Sequence, residues 1–194
     1  MEERIGDAFA LDEMLTVVGS KLLPGATAPD FFLDYLDLTD MTVQCARMAD
    51  VAGRIRLFNV VNSLARPICH HITVQWEKLR TSLPPGAYIY TVSMDPPDAQ
   101  AHWQSIEGIL HQTLSTHRSE QFGQDYGVWL KEWHLLQRAV FVIGCDNRIV
   151  YTEYVADQMC EPDYGVAMEV VYQAAMDQEL NQKKEQNRTT DESL

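Results

Sequence analysis

Nothing in the 194-residue sequence approaches the run of ~18–20 apolar residues that a membrane-spanning helix requires. The opening residues, MEERIGDAFALDEMLTVVGS, place acids early and lack the apolar centre of a secretory signal, so the expected location is cytoplasmic. Basic residues are few. Lys and Arg number 15 against 28 Asp and Glu, and the formal net charge is -13. A surface of that sign repels polyphosphate and anionic lipid, which argues against nucleic acid and membranes as partners. Cysteine is scarce too. Cys45, Cys69, Cys145 and Cys160 form no CxxC pair, so a zinc module is not expected, and they are too few for a disulfide-held secreted scaffold. The chain has no internal repeat and no internal linker.

What is present is ordinary for a globular protein: 46% hydrophobic and 22% charged residues, in a length suited to one domain of ~100–200 residues. Composition shifts only near the end. NQKKEQNRTTDESL, 181–194, lacks apolar residues apart from its last, and the reading is a domain over 1–178 followed by a polar, frayed tail over 179–194.

DAFAL and MLTVVG are strand-like runs around an acidic turn at Asp12–Glu13, an N-terminal β-hairpin. A Pro/Gly-punctuated entry leads to a short strand within FFLDYLDL, and residues 41–52 read as a short helix. IRLFNVV, 55–61, is the continuous apolar run of a strand covered on both faces. Ile68, Ile72, Trp76, Leu79 and Leu83 then recur at steps of three or four, one face of a helix ending before Pro84. AYIYTVSM is the next strand, PPDAQAHWQSIEGILHQ a helix, RAVFVI and IVYTEYV a hairpin, and EPDYGVAMEVVYQAAMDQEL the closing helix with Pro162 near its start. Strand–helix–strand units with buried strands predict an α/β domain of thioredoxin-like type, a central mixed sheet flanked by helices. Ligands in such sheets bind beyond the carboxyl ends of the strands.

Cys69 falls at that place, where a strand gives way to a helix. Unpaired N–H groups and the positive end of the dipole stabilise a thiolate at a helix start. Pro67 suits the first turn, and Arg66 puts a permanent cation nearby. Position alone leaves two readings open: a reactive thiolate, or a small packed hydrophobe. His70 and His71 point ~100° apart on a helix and read as solvated surface residues rather than metal ligands.

The stretches GATAPDFFL, LFNVVNSLARPIC, VSMDPPDAQAHW, LSTHRSEQFGQDYGV, LLQRAVFVI and YTEYVADQMCEPDYGVAM, in this order, resemble the thiol peroxidase branch of the peroxiredoxins, the atypical two-cysteine type, from about residue 4 to 176. The resemblance implies a thioredoxin fold, no cofactor, and reduction of a hydroperoxide through Cys69, which becomes a sulfenic acid. It implies thioredoxin or a small thiol as reductant, and a homodimer. Arg138 matches the arginine that holds thiolate and peroxide, and Arg118 matches a second familiar arginine. Tyr126, Trp103 and Tyr164 match aromatic positions that read as packing.

The chain departs from the family pattern in two places. Ahead of the cysteine the family carries proline and then threonine, and here Asn62 and Arg66 take those positions. Cys69, Arg138 and Arg66 are thus the expected catalytic set, with Asn62 and Arg118 toward the substrate. The resolving cysteine is replaced by Gln104. Two functions follow: a peroxidase recycled by an external thiol in one-cysteine fashion, or a weakened peroxiredoxin-fold protein acting as redox sensor or binding module. Cys45, Cys145 and Cys160 read as structural or incidental.

Overall fold

The protein is described by a computed structural model covering residues 1–191, with side chains to 184. Strands β1 (Glu3–Ala10) and β2 (Glu13–Val18) form the expected N-terminal hairpin. Its turn comes one residue early, with Leu11 in the left-handed region at φ 53°. β2 continues onto two short strands, β8 (Trp129–Leu130) and β9 (Leu135–Leu136), to make a small four-stranded sheet.

The main sheet has seven strands in the order β11-β10-β5-β6-β7-β3-β4. These are β3 (Phe32–Asp37), β4 (Thr42–Arg47), β5 (Ile55–Val60), β6 (Ala87–Ser93), β7 (Gln112–Ser115), β10 (Ala139–Ile143) and β11 (Ile149–Tyr154). β5, β6 and β7 run parallel, and the remaining pairs are antiparallel. Every residue of β5 is buried, as its continuous apolar run requires. Ile55, Leu57 and the following Val61 pack under α1 (Pro67–Arg80) and α4 (Tyr164–Asp191). Phe58 and Val60 face the other layer, where Phe122 of α3 (Gln121–Asp125) stacks on Tyr126 at 4.3 Å between centroids.

Three local expectations are corrected. Residues 41–52 are not a helix but β4 and a 3-10 turn at Met48–Val51. Asp40 turns the chain by accepting hydrogen bonds from the N–H and hydroxyl of Thr42, and β4 then pairs along the whole of β3, which outweighs a weak local helical pattern. Helix α2 (Pro97–Glu107) stops five residues short of Gln112, because Gly108 caps it at φ 67°. The chain freed by that stop supplies β7, too short to leave a period in the sequence. The closing helix, capped where the Asp163 side chain accepts the Val166 N–H at 3.0 Å, runs on through the polar segment to Asp191. Residues 192–194, expected to fray, lie outside the described residues.

Candidate active site

The loop after β5 is fixed before the helix begins. Asp95, at the end of β6, accepts hydrogen bonds from the Ser63 hydroxyl at 2.6 Å, the Leu64 N–H at 2.7 Å and the Ser93 hydroxyl at 2.7 Å. Pro67 opens α1, and Cys69 is its third residue, fully buried. No side chain caps this first turn. The thiol therefore sits where helix N–H groups are free to act on it.

The Cys69 thiol points its hydrogen bond at Asn62, whose Oδ1 lies 3.8 Å from Sγ. Asn62 is held hard in place. Its Nδ2 donates to the Leu136 carbonyl and, at 3.0 Å, to Gln158 Oε1. The same Gln158 oxygen accepts the Arg138 backbone N–H at 3.0 Å, and the Gln158 carbonyl accepts Arg138 Nη1. Cys69, Asn62, Gln158 and Arg138 thus form one network, each 0–1% exposed.

Arg138 is the anomaly in this network. Its Nε and Nη2 are buried without partners, and among the described residues no carboxylate pairs with it. A buried cation left without an anion is costly. The two spare donors and the missing negative charge suit a species that completes the site: a thiolate at Cys69, or oxygens delivered to it.

Two other expected residues are engaged elsewhere. The Arg66 guanidinium lies over the Trp133 ring, 4.3 Å from its centroid, and among the described residues no hydrogen bond joins it to Cys69. Trp133 is in turn tied to Glu13 of the N-terminal hairpin at 3.1 Å. Arg118 pairs with Asp34 at 3.2 Å and is 68% exposed. The structure therefore brings together Cys69, Asn62 and Arg138, and gives Arg66 and Arg118 partners of their own.

His70 and His71 lie on the helix surface, as expected. His70 accepts the Trp103 indole N–H at 3.2 Å and faces Glu107 at 3.4 Å, while His71 faces Glu161 at 3.5 Å. Gln104 donates to the His111 carbonyl and accepts from the Thr113 hydroxyl, stitching α2 to β7. All four cysteines are free. Cys145 lies past the far end of β10, and Cys45 on β4 is exposed. Cys160 is exposed in the segment between β11 and α4, close enough to Arg138 to feel its charge. A hydrogen bond to Asp157 and partial desolvation nevertheless push the Cys160 thiol up.

Gln158 and Asp95 were not anticipated. Gln158 lies 96 residues from its partner Asn62, and nothing local in the sequence marks it.

The family model of the AhpC/TSA family matches residues 24–152. The thiol peroxidase of Streptococcus sanguinis is 36% identical over 162 residues, 83% of this chain and 96% of that protein. The thiol peroxidase of Listeria innocua is 36% identical over 161 residues, 82% of this chain and 94% of its own length. Among solved structures, the thiol peroxidase from Chromobacterium violaceum superposes with a TM-score of 0.76 at 20% identity, covering 90% of this chain and 99% of that one. A peroxiredoxin-like protein from Aquifex aeolicus gives 0.75 at 23% identity, covering 86% and 96%.

Proposed function

The chain belongs to the AhpC/TSA family, and from that premise we propose that it is a thiol-dependent peroxidase in which Cys69 reacts and Arg138 binds the peroxide. The observation that carries this reading is the pair of unpartnered donors on buried Arg138, in the network that holds Cys69. The Cys69 thiolate attacks one oxygen of ROOH. The O–O bond breaks, the sulfur becomes a sulfenic acid, and RO⁻ leaves and takes a proton as ROH. Arg138 Nε and Nη2 face the negative charge that develops on those oxygens.

Asn62 serves as the wall beside the sulfur, in the place of the family's proline. With both amide hydrogens given to Leu136 and Gln158, it presents an acceptor oxygen to the thiol where a proline side chain presents no polar atom. Arg66, on Trp133, is a weak replacement for the family's threonine, and Arg118 supports β3 through Asp34.

Recycling is one-cysteine-like. An external thiol, from a thioredoxin-type protein or a small molecule, attacks the sulfenic sulfur, expels water, and leaves a mixed disulfide that a second thiol reduces. A reductant of that kind belongs to a reducing compartment, which fits a cytoplasmic location, and a homodimer completes the proposal. One observation favours a second route. Gln158, two residues before Cys160, is bonded to Asn62, and Glu161, one residue after it, faces His71 on α1. Cys160 is thereby tethered on both sides to the surroundings of Cys69, and it is the candidate partner should the sulfenic acid close a bridge within the chain.

Stopped-flow reaction of the reduced protein with hydrogen peroxide and with cumene hydroperoxide tests the function. Rapid oxidation that Cys69→Ser abolishes is expected. Rates no faster than those of free thiols would leave the redox-sensor or binding-module reading in its place. Mass spectrometry after one equivalent of peroxide separates the recycling routes: a dimedone adduct on Cys69 supports the external thiol, and a quantitative Cys69–Cys160 disulfide supports the second route.

A further inference from the structure

A cavity of about 630 Å³ opens at the end of the sheet away from Cys69. That volume lies within the ~300–1,000 Å³ typical of small-molecule sites. It surrounds the first residues of β6 and the approach to β7, whereas Cys69 follows the last residue of β5. β5 and β6 run parallel with Ile55 opposite Ala87 and Val60 opposite Val92, so the two places stand a full strand apart, about 17–20 Å at ~3.3 Å per residue.

The lining is unlike the rest of this acidic chain. Arg54 and Arg80 both reach it, together with Tyr35, Tyr88, Tyr90 and His111. Arg80 and His111 are occupied, each within 2.7 Å of a different oxygen of Glu77. Asp50, the acid on the rim, is occupied by the backbone N–H of Arg47 at 2.8 Å. Arg54 is not. Its guanidinium lies over the Tyr88 ring at 4.7 Å, and among the described residues it makes no ion pair. Tyr90 is only 9% exposed, lines the cavity, and its hydroxyl has no hydrogen-bond partner among the described residues. Burial pushes the Tyr90 phenol up, with Arg54 acting in the opposite sense, so the group remains a neutral donor at physiological pH. A cation already stacked on an aromatic face and a buried phenol with a free hydrogen therefore face one apolar-walled space, with Leu83 and Leu110 among its walls.

We propose that this cavity binds a small aromatic anion, a carboxylate, sulfonate or phosphate on a planar ring system, with the anionic group on Arg54 and Tyr90 and the ring against Leu83 and Leu110. The site is separate from peroxide chemistry. A cation that makes no ion pair among the described residues, with Asp50 on the rim already turned to the Arg47 N–H, favours a negative group, and the buried phenol adds direction to the contact. The apolar walls select an organic ion over inorganic phosphate.

The test uses the folded, full-length protein and the fluorescent anion 1-anilinonaphthalene-8-sulfonate, with the uncharged N-phenyl-1-naphthylamine as its comparator. One saturable site is expected for the anion, with the neutral probe at least about tenfold weaker. Arg54→Gln, at an exposed position, should weaken the anion about tenfold, and Tyr90→Phe should weaken it several-fold, both with unchanged melting temperature. Cys69→Ser should bind as the wild type does. Amide shifts on titration should centre on residues 86–90 and 110–112. Absence of saturable binding, equal affinity for the neutral probe, or wild-type affinity in both Arg54→Gln and Tyr90→Phe would overturn the proposal.

Discussion

The two ends of the β5–β10 strand pair each hold a buried arginine, one joined to Cys69 through Asn62 and Gln158 and one beside Cys145, and they use their donors differently. Because the strands are antiparallel, Val60 faces Ala139 at one end and Arg56 faces Ile143 at the other. At the lower end, Arg56 is fully buried and gives its Nη groups to Asn147 Oδ1, the Gly144 carbonyl and the Met48 sulfur, leaving one nitrogen, Nε, without a partner. It clamps the β10–β11 turn. Its neighbour Cys145 donates to Gln178 at 2.8 Å, and burial pushes that thiol up, with Arg56 pulling the other way. At the upper end, Arg138 spends a single side-chain donor, and Nε and Nη2 stay unpaired. A guanidinium whose donors are mostly consumed by backbone and amide oxygens is scaffolding. One that keeps two, in a closed site with no paired carboxylate among the described residues, has donors to spare, which is what the proposed role in binding thiolate and peroxide would use.

The largest effect that would sharpen this contrast is the loss of the reactive sulfur. Cys69→Ser should bring peroxide-dependent thiol oxidation down to background in a coupled assay, while Cys145→Ser should leave it at the wild-type rate. Next comes a crossed comparison of the two arginines. Arg138→Met should slow peroxide reduction by about 100-fold or more, with stability in urea changed by less than about 1 kcal/mol, because the lost bond to the Gln158 carbonyl is offset by removal of a buried charge and two orphaned donors. Arg56→Met should do the reverse. It strips the donor from Asn147 Oδ1 and one of the two donors from the Gly144 carbonyl, which keeps the Asn147 N–H at 3.0 Å, and should cost about 2–4 kcal/mol of stability with the peroxide rate unchanged in the folded protein. Equal rate losses in the two variants would break the distinction.

A smaller effect is expected at Arg66. Since its guanidinium is parked on Trp133, Arg66→Thr restores a short hydroxyl beside Cys69 and should speed the peroxide reaction about tenfold in stopped flow. A slower reaction would mean that the arginine works from where it stands. The smallest effect belongs to the lower end, at Glu77. Burial alone would raise this carboxyl, but hydrogen bonds from His111 and Arg80 outweigh it and hold it at about 2. A folded value below the ordinary 4.5 contributes stability that is complete above pH ~4.5 and is lost as pH falls toward ~2. Glu77→Gln should therefore flatten the acid limb of the urea midpoint between those values and leave the neutral-pH peroxide rate unaltered.

Much of the frame was legible in the sequence. The apolar run at 55–61 and the 3–4 spacing from Ile68 to Leu83 are strong one-dimensional patterns, and the structure has β5 and α1 in those places. β4 and β7 were not legible, because their stability comes from pairing with β3 and β6 rather than from local preference. At the candidate site, Cys69, Asn62 and Arg138 were visible through the family motif. Gln158 was not, since it acts by closing a distance of 96 residues in sequence that only the fold closes. The place of Arg66 on Trp133 was equally hidden: a long side chain at a helix start can reach either way, and the β8–β9 turn decides which aromatic it meets.

The segment that carries Gln158 is also stitched to the first hairpin. The Phe9 N–H donates to the Ala156 carbonyl at 2.8 Å and the Phe9 carbonyl accepts the Gln158 N–H at 2.7 Å. Those two amides are locked by the same short ladder, so a fluctuation that frees one frees the other, and their deuterium uptake should rise and fall together. Cys69 has no surface in contact with solvent while the site is closed. If breaking that ladder is what uncovers it, the deuterium uptake of the Phe9 and Gln158 amides gauges how often the sulfur is reachable, and a change that loosens the two amides should raise the peroxide rate in step.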